Sequence, residues 1–406
     1  VSEQAGIKGN PLGFGLGVMV SDVNQDGYPD IYVTNDYVED DYLYINQKNG
    51  TFKDELRERI GHTSYSSMGV DIADFNNDAL PDILSLDMLP EDNRRQKLLQ
   101  LQENYESFEL MQQQGLHKQY MHNMLQLNLG NDKSGFPTFS EIARLSGIAS
   151  TDWSWCPLIV DFDNDGLKDV FISNGYLRDY TNKDFLRYWG DYKIKKAMDR
   201  EPMQLMDLVM AMPSTKLANY IFKNEGNLNF SNKQIAWGLT ESTVSSGAAY
   251  ADLDNDGDLD LVVNNVNAPL SVYKNKSNEK LKNHYLTVHL KGADRNLNGI
   301  GARVTVYQKG GFKVLQQMPN RGFQSSSDHQ MVFGLGANGA IDSVQVLWPN
   351  DKIETIKTVK ADQIITLKQE NAKEIFHFFE AKQTPIFADV TSGLLDYLHV
   401  ESMFND

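Results

Sequence analysis

Four nine-residue stretches present the same set of oxygen donors: Asp22–Asp30 (DVNQDGYPD), Asp74–Asp82 (DFNNDALPD), Asp161–Asp169 (DFDNDGLKD) and Asp252–Asp260 (DLDNDGDLD). All fit D-x-[DN]-x-D-[GA]-x-x-D, with carboxylates or a carboxamide at positions 1, 3, 5 and 9. Calcium takes six to eight oxygen ligands at about 2.3–2.6 Å. A loop of this kind offers four side-chain donors and the carbonyl of position 7. The expected ligand sets are Asp22, Asn24, Asp26, Tyr28 and Asp30; Asp74, Asn76, Asp78, Leu80 and Asp82; Asp161, Asp163, Asp165, Leu167 and Asp169; and Asp252, Asp254, Asp256, Asp258 and Asp260. Position 7 varies in type, as it should if only its backbone oxygen is used. Up to four Ca2+ ions are expected.

The rival readings are weaker. An EF-hand needs a bidentate Glu at position 12 between two helices. Here position 12 is Val33, Ser85, Ile172 or Val263, and the flanks read as strands. Magnesium prefers a smaller octahedral site that retains waters. No His or Cys joins the template, which disfavours zinc in these loops. Plain Asx turns would suit the residue types, but three or four carboxylates crowded together repel one another without a cation. The second loop departs from the others at position 6, where Ala79 replaces Gly27, Gly166 and Gly257. A left-handed backbone at Ala costs about 1–2 kcal/mol more than at Gly. The expectation is positive φ at Ala79 and the weakest of four otherwise normal sites.

The elements around the loops repeat as well. A small residue (Gly17, Gly69, Cys156 or Gly247) stands five positions before each loop. After each loop come short β-branched or aromatic runs: Ile31–Val33, Ile83–Leu84, Val170–Ile172 and Leu261–Val263. These read as buried strands. A second strand–turn–strand pattern lies between loops, as in YLYINQKNGTFKDE. Each repeat thus holds four strands, the content of a propeller blade. Gly-poor segments within about 88–127 and 178–220 read as helical insertions.

On these residues the four units resemble the FG-GAP/VCBS repeats of integrin-α-type β-propellers, and Phe14-Gly15 keeps the "FG" pair. A second resemblance covers about 283–370, where NHYLTVHLKG, NGIGARVTV, RGFQSSSDHQMVFGLG and VQVLWPND are similar to the ASPIC/UnbV domain of cartilage-acidic-protein-like proteins. The fold class expected is all-β: propeller blades with helical insertions over 1–278, then an antiparallel β domain over 283–370. Residues 375–406 resemble a connector opening a further repeat region, which suggests a piece of a longer protein. The resemblance implies export to an extracellular or bacterial outer-membrane surface.

A net charge of −17 argues against nucleic acid and anionic membrane as partners. No apolar run is long enough to span a bilayer. Cys156, the single cysteine, reads as a small core residue. His117 and His122 are five apart, which does not match the i, i+4 pair of a helical zinc site. Trp153 and Trp155 share a strand face and read as packing residues rather than a sugar platform. Met203–Met212 (MQLMDLVMAM) reads as the core face of a helix, with a partner-binding surface as the alternative, since Met suits adaptable interfaces. Gly299–Ala302 (GIGA) reads as a tight turn, since it lacks the Lys of a phosphate loop. The function expected is a non-enzymatic, calcium-stabilised binding or scaffolding module. Its partner would be a surface protein or glycan, including an outer-membrane transporter. The alternative is a polysaccharide-acting enzyme or its substrate-binding accessory.

Overall fold

The computed structural model describes residues 1–9, 13–37, 39–99, 105–378 and 390. Most of the expected connector over 375–406 lies outside these residues. The fold is predominantly β, with a few helices.

Each acidic loop joins the first two strands of a sheet, and strands then follow in chain order. The first sheet runs Phe14–Ser21, Asp30–Asp36, Tyr42–Asn46, Phe52–Asp54. The second runs Val70–Ala73, Asp82–Ser85, Met124–Asn131, Pro137–Glu141. The third runs Ser154–Val160, Asp169–Asn174, Tyr220–Asn224, Phe230–Asn232. The fourth has three strands among the described residues: Ser245–Ala251, Asp260–Asn265 and Ser271–Tyr273. All four hairpins close on the same pair, the residue before the loop against its ninth residue: Ser21↔Asp30, Ala73↔Asp82, Val160↔Asp169 and Ala251↔Asp260. A single local code therefore sets the register in all four units.

The first strands of the four sheets adjoin one another in chain order, and apolar cores fill the gaps between neighbouring sheets. Met19, Tyr32, Ile72 and Ile83 pack between the first and second, Phe75, Leu84, Ile159 and Phe230 between the second and third, and Leu158, Phe171, Leu261 and Val263 between the third and fourth. Burying each such side chain contributes about 1.5–3 kcal/mol, so neighbouring sheets stabilise one another.

The C-terminal domain holds a five-stranded antiparallel sheet built on Arg303–Gln308 and Ser343–Leu347. In a second sheet, His284–Lys291 pairs antiparallel with Met331–Gly336 but parallel with Gln363–Lys368. The expectation of a wholly antiparallel domain is corrected at that strand. Alternation of apolar residues cannot distinguish the two directions. Trp348, Val304 and Val346 centre its core.

This domain sends the short hairpin around Asn320–Ser326 into the place where the first strands of the units meet. Val70 and Gly322 exchange backbone hydrogen bonds of 3.1 Å. Gly322 has φ 70°, and a Cβ there would lie 2.2 Å from Cys156 Sγ. Beside it, the buried Arg321 guanidinium meets buried Asp71 at 2.8 Å. The other Asp71 oxygen accepts the Ile159 N–H at 2.7 Å. One carboxylate thus ties the second unit to the third and to the C-terminal domain. Removing one partner of such a pair strands a buried charge.

Both expected insertions contain helices: Asn93–Leu99 and Tyr105–Gln113, then Lys183–Asp199 and Leu205–Ala211. Asn182 caps the third of these by accepting from the N–H groups of Asp184 and Phe185. The core-face reading of the Met-rich segment is wrong. Met203, Met206 and Met210 are 54%, 68% and 65% exposed, and Leu208 alone in Leu205–Ala211 is buried. Apolar residues surround that helix, but only Leu208 among them is covered.

Candidate metal centres

The four loops share one hydrogen-bond plan. The carboxylate of position 1 takes N–H groups from the far side of the loop. Asp22 accepts from Asp26 and Gly27, Asp74 from Asp78 and Ala79, Asp161 from Gly166, and Asp252 from Asp256 and Gly257. Position 5 accepts from the N–H of position 7 in every loop. Position 9 bridges the N–H of position 2 and that of an asparagine on the third strand or just beyond it: Asn46, Asn128, Asn224 or Asn275. The backbone needed to curl the loop is left-handed at positions 4 and 6. Position 6 has φ of 88°, 92° and 89° at Gly27, Gly166 and Gly257, and 74° at Ala79. The positive φ expected at Ala79 is present.

Successive loops are also linked to one another. The side-chain amide of position 4 donates to the position-6 carbonyl of the next loop: Gln25 to Ala79, Asn77 to Gly166 and Asn164 to Gly257. In return, the third-strand asparagine of each later unit donates to the position-2 carbonyl of the loop before. Asn128 reaches Val23 at 3.0 Å, Asn224 reaches Phe75 at 2.9 Å and Asn275 reaches Phe162 at 2.7 Å. These residues were missed as functional from the sequence. A signal was present, since position 4 is Gln or Asn in all four loops. The matching asparagines lie at varying distances from their loops and align only in space.

Carboxylate oxygens converge in the third and fourth loops. One oxygen each from Asp161, Asp163 and Asp169 lie within 4.8 Å of one another, and so do those of Asp252, Asp254 and Asp256. In the first two loops position 3 is the amide Asn24 or Asn76, which turns its NH2 to Asp26 or Asp78. The Asp258 carboxylate accepts from Ser277 Oγ and the Asn278 N–H at 3.2 and 3.1 Å and also meets the Asp256 carboxylate.

The electrostatics are those of crowded, half-dry carboxylates. Burial pushes Asp22 up to about 6 and Asp30 up to about 8. Burial, then repulsion from Asp165 and Asp163, pushes Asp161 up to about 8. Asp82 and Asp169 rise well above the carboxylate range for the same first reason. Lysines offset part of this charge in all four loops; in the second, the buried Lys168 ammonium donates to the Asp74 carbonyl at 2.6 Å and opposes the rise that burial imposes on the Asp74 carboxyl. Lys48 lies 3.2 Å from Asp26, Lys223 bonds Asp163 and Asp165, and Lys274 bonds Asp254.

The donor set fits a hard divalent cation. It is all oxygen, it is short of positive charge, and Asp161 keeps one buried oxygen with no hydrogen-bond partner. A bound calcium would supply charge neutralisation and a rigid tie between the first two strands of a unit.

The C-terminal domain lies against this loop face. The Tyr285 ring sits over Gly257, where a Cβ would approach to 2.1 Å, and Lys313 sits over Gly166. Arg303 donates to the Ala79 carbonyl at 3.1 Å, and Asn283 to that of Asp163 at 2.8 Å. Position 6 therefore needs glycine for space as well as for φ in the fourth loop.

The remaining sequence candidates are placed plainly. Cys156 is fully buried and burial pushes its thiol up to about 12, so it is a core residue with little thiolate. Trp153 stacks on Tyr176 at 4.2 Å and Trp155 packs on Phe323 at 4.9 Å, as packing residues do. His117 bonds the Ile60 carbonyl at 2.9 Å and does not pair with His122. Gly299 and Gly301 both have positive φ, as the turn reading requires.

A family model for the FG-GAP-like repeat matches residues 22–85 and 204–263. A model for the ASPIC and UnbV domain matches residues 292–374. No curated protein matches the chain. The third acidic loop lies between the two repeat matches, yet it keeps the same hydrogen-bond plan.

Proposed function

We propose, for a chain that is an FG-GAP-repeat protein with an ASPIC/UnbV domain, a calcium-stabilised binding or scaffolding module with no catalysis of its own. Such repeats suggest an extracellular or surface location. No helix among the described residues is long and apolar enough to cross a membrane. The four sheets form consecutive blades of a β-propeller, with the Asn320–Ser326 hairpin at its axis.

The observation that carries this reading is the linked row of loops. Carboxylate oxygens converge in the third and fourth loops, and each of the first three loops passes its position-4 amide to the next. Calcium in one loop would therefore rigidify the next. Extracellular calcium modules bind with Kd of about 10⁻⁴–10⁻³ M. At about 10 mM calcium each filled site would add about 1.4–2.7 kcal/mol to stability. Titration calorimetry tests the reading: up to four calcium ions should bind, and none should bind to a variant neutralised at Asp22, Asp74, Asp161 and Asp252.

The partner is a protein, and it docks on the insertion helices Lys183–Asp199 and Leu205–Ala211. Met198, Met206 and Met210 are exposed there, and flexible Met surfaces suit protein contacts. Met206→Asp with Met210→Asp should abolish capture of the partner without lowering the melting temperature. Turnover of a polysaccharide by the purified chain would overturn the non-catalytic reading.

A further inference from the structure

His62, His122 and Glu141 come from three separate parts of the second unit and converge at its outer edge. Strand Thr63–Ser64 pairs in parallel with Gln119–Tyr120; the chain then turns back, the His122 N–H donating to the Tyr120 carbonyl at 2.9 Å, and the His62 and His122 rings lie 6.3 Å apart. Glu141 ends the strand Pro137–Glu141, opposite Gln126. One donor atom from each of the three residues lies within 4.8 Å of the others, and His62 Nε2 is 3.8 Å from Glu141 Oε2.

The surrounding hydrogen bonds leave the right atoms free. His122 is 3% exposed, and its Nδ1 lies 2.7 Å from the Asn123 carbonyl. A carbonyl can only accept, so Nδ1 carries the proton and Nε2 keeps its lone pair. That is how ligating histidines are commonly oriented. Glu141 Oε1 accepts the N–H groups of Leu125 at 3.1 Å and Ala143 at 2.6 Å, which leaves Oε2 toward His62. Gln126 Nε2 holds the His62 carbonyl at 2.9 Å. Gln126 Oε1 is buried with no hydrogen-bond partner.

We infer that His62, His122 and Glu141 form a binding site for a transition-metal dication of the zinc class, separate from the calcium loops. Two imidazoles and one carboxylate suit zinc and its neighbours in the first transition row, not calcium. Ligand bonds of about 2.0–2.1 Å require donors about 3–3.5 Å apart. His62 is the half-exposed member of the set, and a turn of its ring closes the gap. Three protein ligands leave a coordination position open to water or to a partner's side chain.

The test uses the full chain in excess calcium, titrated with Co2+ as a spectroscopic stand-in and then with Zn2+ in competition. One Co2+ should bind with the visible d–d bands of nitrogen ligation, and Zn2+ should bleach them. His62→Ala should weaken binding by about 10–100-fold, the loss seen when even supporting groups of metal sites are removed. Glu141→Gln should weaken it comparably, and His329→Ala, at an exposed histidine of the C-terminal domain, should leave it unchanged. The site is refuted if no d–d bands form, or if His62→Ala binds Co2+ as tightly as the unaltered chain. His62 is surface-accessible, so this decision stands even where His122→Ala fails to fold.

Discussion

The second and third acidic loops share a backbone path but solve their charge problem differently. The third presents four carboxylates, Asp161, Asp163, Asp165 and Asp169, with the Lys223 ammonium on two of them. The second presents three, with Asn76 in place of a fourth; no carboxylate of it is directly ion-paired among the described residues, and its counter-charge is the buried Lys168 ammonium, which donates to the Asp74 carbonyl at 2.6 Å. It also carries Ala79 at φ 74°. That conformation is held by the protein's own bonds: the Ala79 N–H donates to Asp74 at 2.9 Å, and its carbonyl accepts from Gln25 and Arg303. The difference teaches that strain and charge act on separate quantities. Strain at Ala79 falls mainly on folding. Calcium affinity follows ligand charge and the ammonium that an ion must displace.

The largest effect should come from position 9. Asp169→Ala strips acceptors from the Phe162 and Asn224 N–H groups and should cost about 3 kcal/mol or more. Asp82→Ala removes the same pair of bonds in the second loop. The two variants should differ little in chelator, and in calcium Asp169→Ala should lose more, because the richer loop gains more from the ion. Urea unfolding in both conditions measures this, and equal losses in calcium would remove the charge argument.

Lys223→Gln should change sign with calcium. In chelator it leaves Asp163 and Asp165 without a counter-charge and costs about 1 kcal/mol. In calcium it frees the site and should tighten binding at the third loop, read as a lower calorimetric Kd.

The smallest effect is at Ala79. Ala79→Gly should stabilise the chain by about 1 kcal/mol or less, offset in part by the chain entropy of glycine. The gain should be alike in calcium and in chelator. A gain seen only in calcium would move the strain back onto binding, as the sequence alone suggested.

The repeat was legible because its code is short-range. Loop, flanking strands and positive φ at Ala79 all follow from residues within one window. The C-terminal domain was legible from motif pattern, apart from the parallel strand Gln363–Lys368. Three features were not. The asparagine partners of position 9 are set by strand pairing across long insertions, as with Asn224, which lies 55 residues after Asp169. The Asp71–Arg321 bond joins residues 250 apart. The Met-rich helix was misread because apolar residues mark a face without saying whether anything covers it.

The central claim is that calcium neutralises the loop carboxylates. Asp22, Asp30 and Asp161 have folded pKa values of about 6, 8 and 8, above the unfolded value of about 3.9. The metal-free folded state therefore binds more protons than the unfolded chain. The contribution of these three groups to stability is fully present below that unfolded value and is lost as pH rises toward about 8. Calcium competes with those protons and should reverse the loss. The decisive measurement is thermal melting in chelator and in about 10 mM calcium at pH 5 and pH 8. The account predicts a melting temperature in chelator that drops from pH 5 to pH 8, and a calcium-induced rise that is larger at pH 8. Superimposable melts with and without calcium at pH 8 would contradict it.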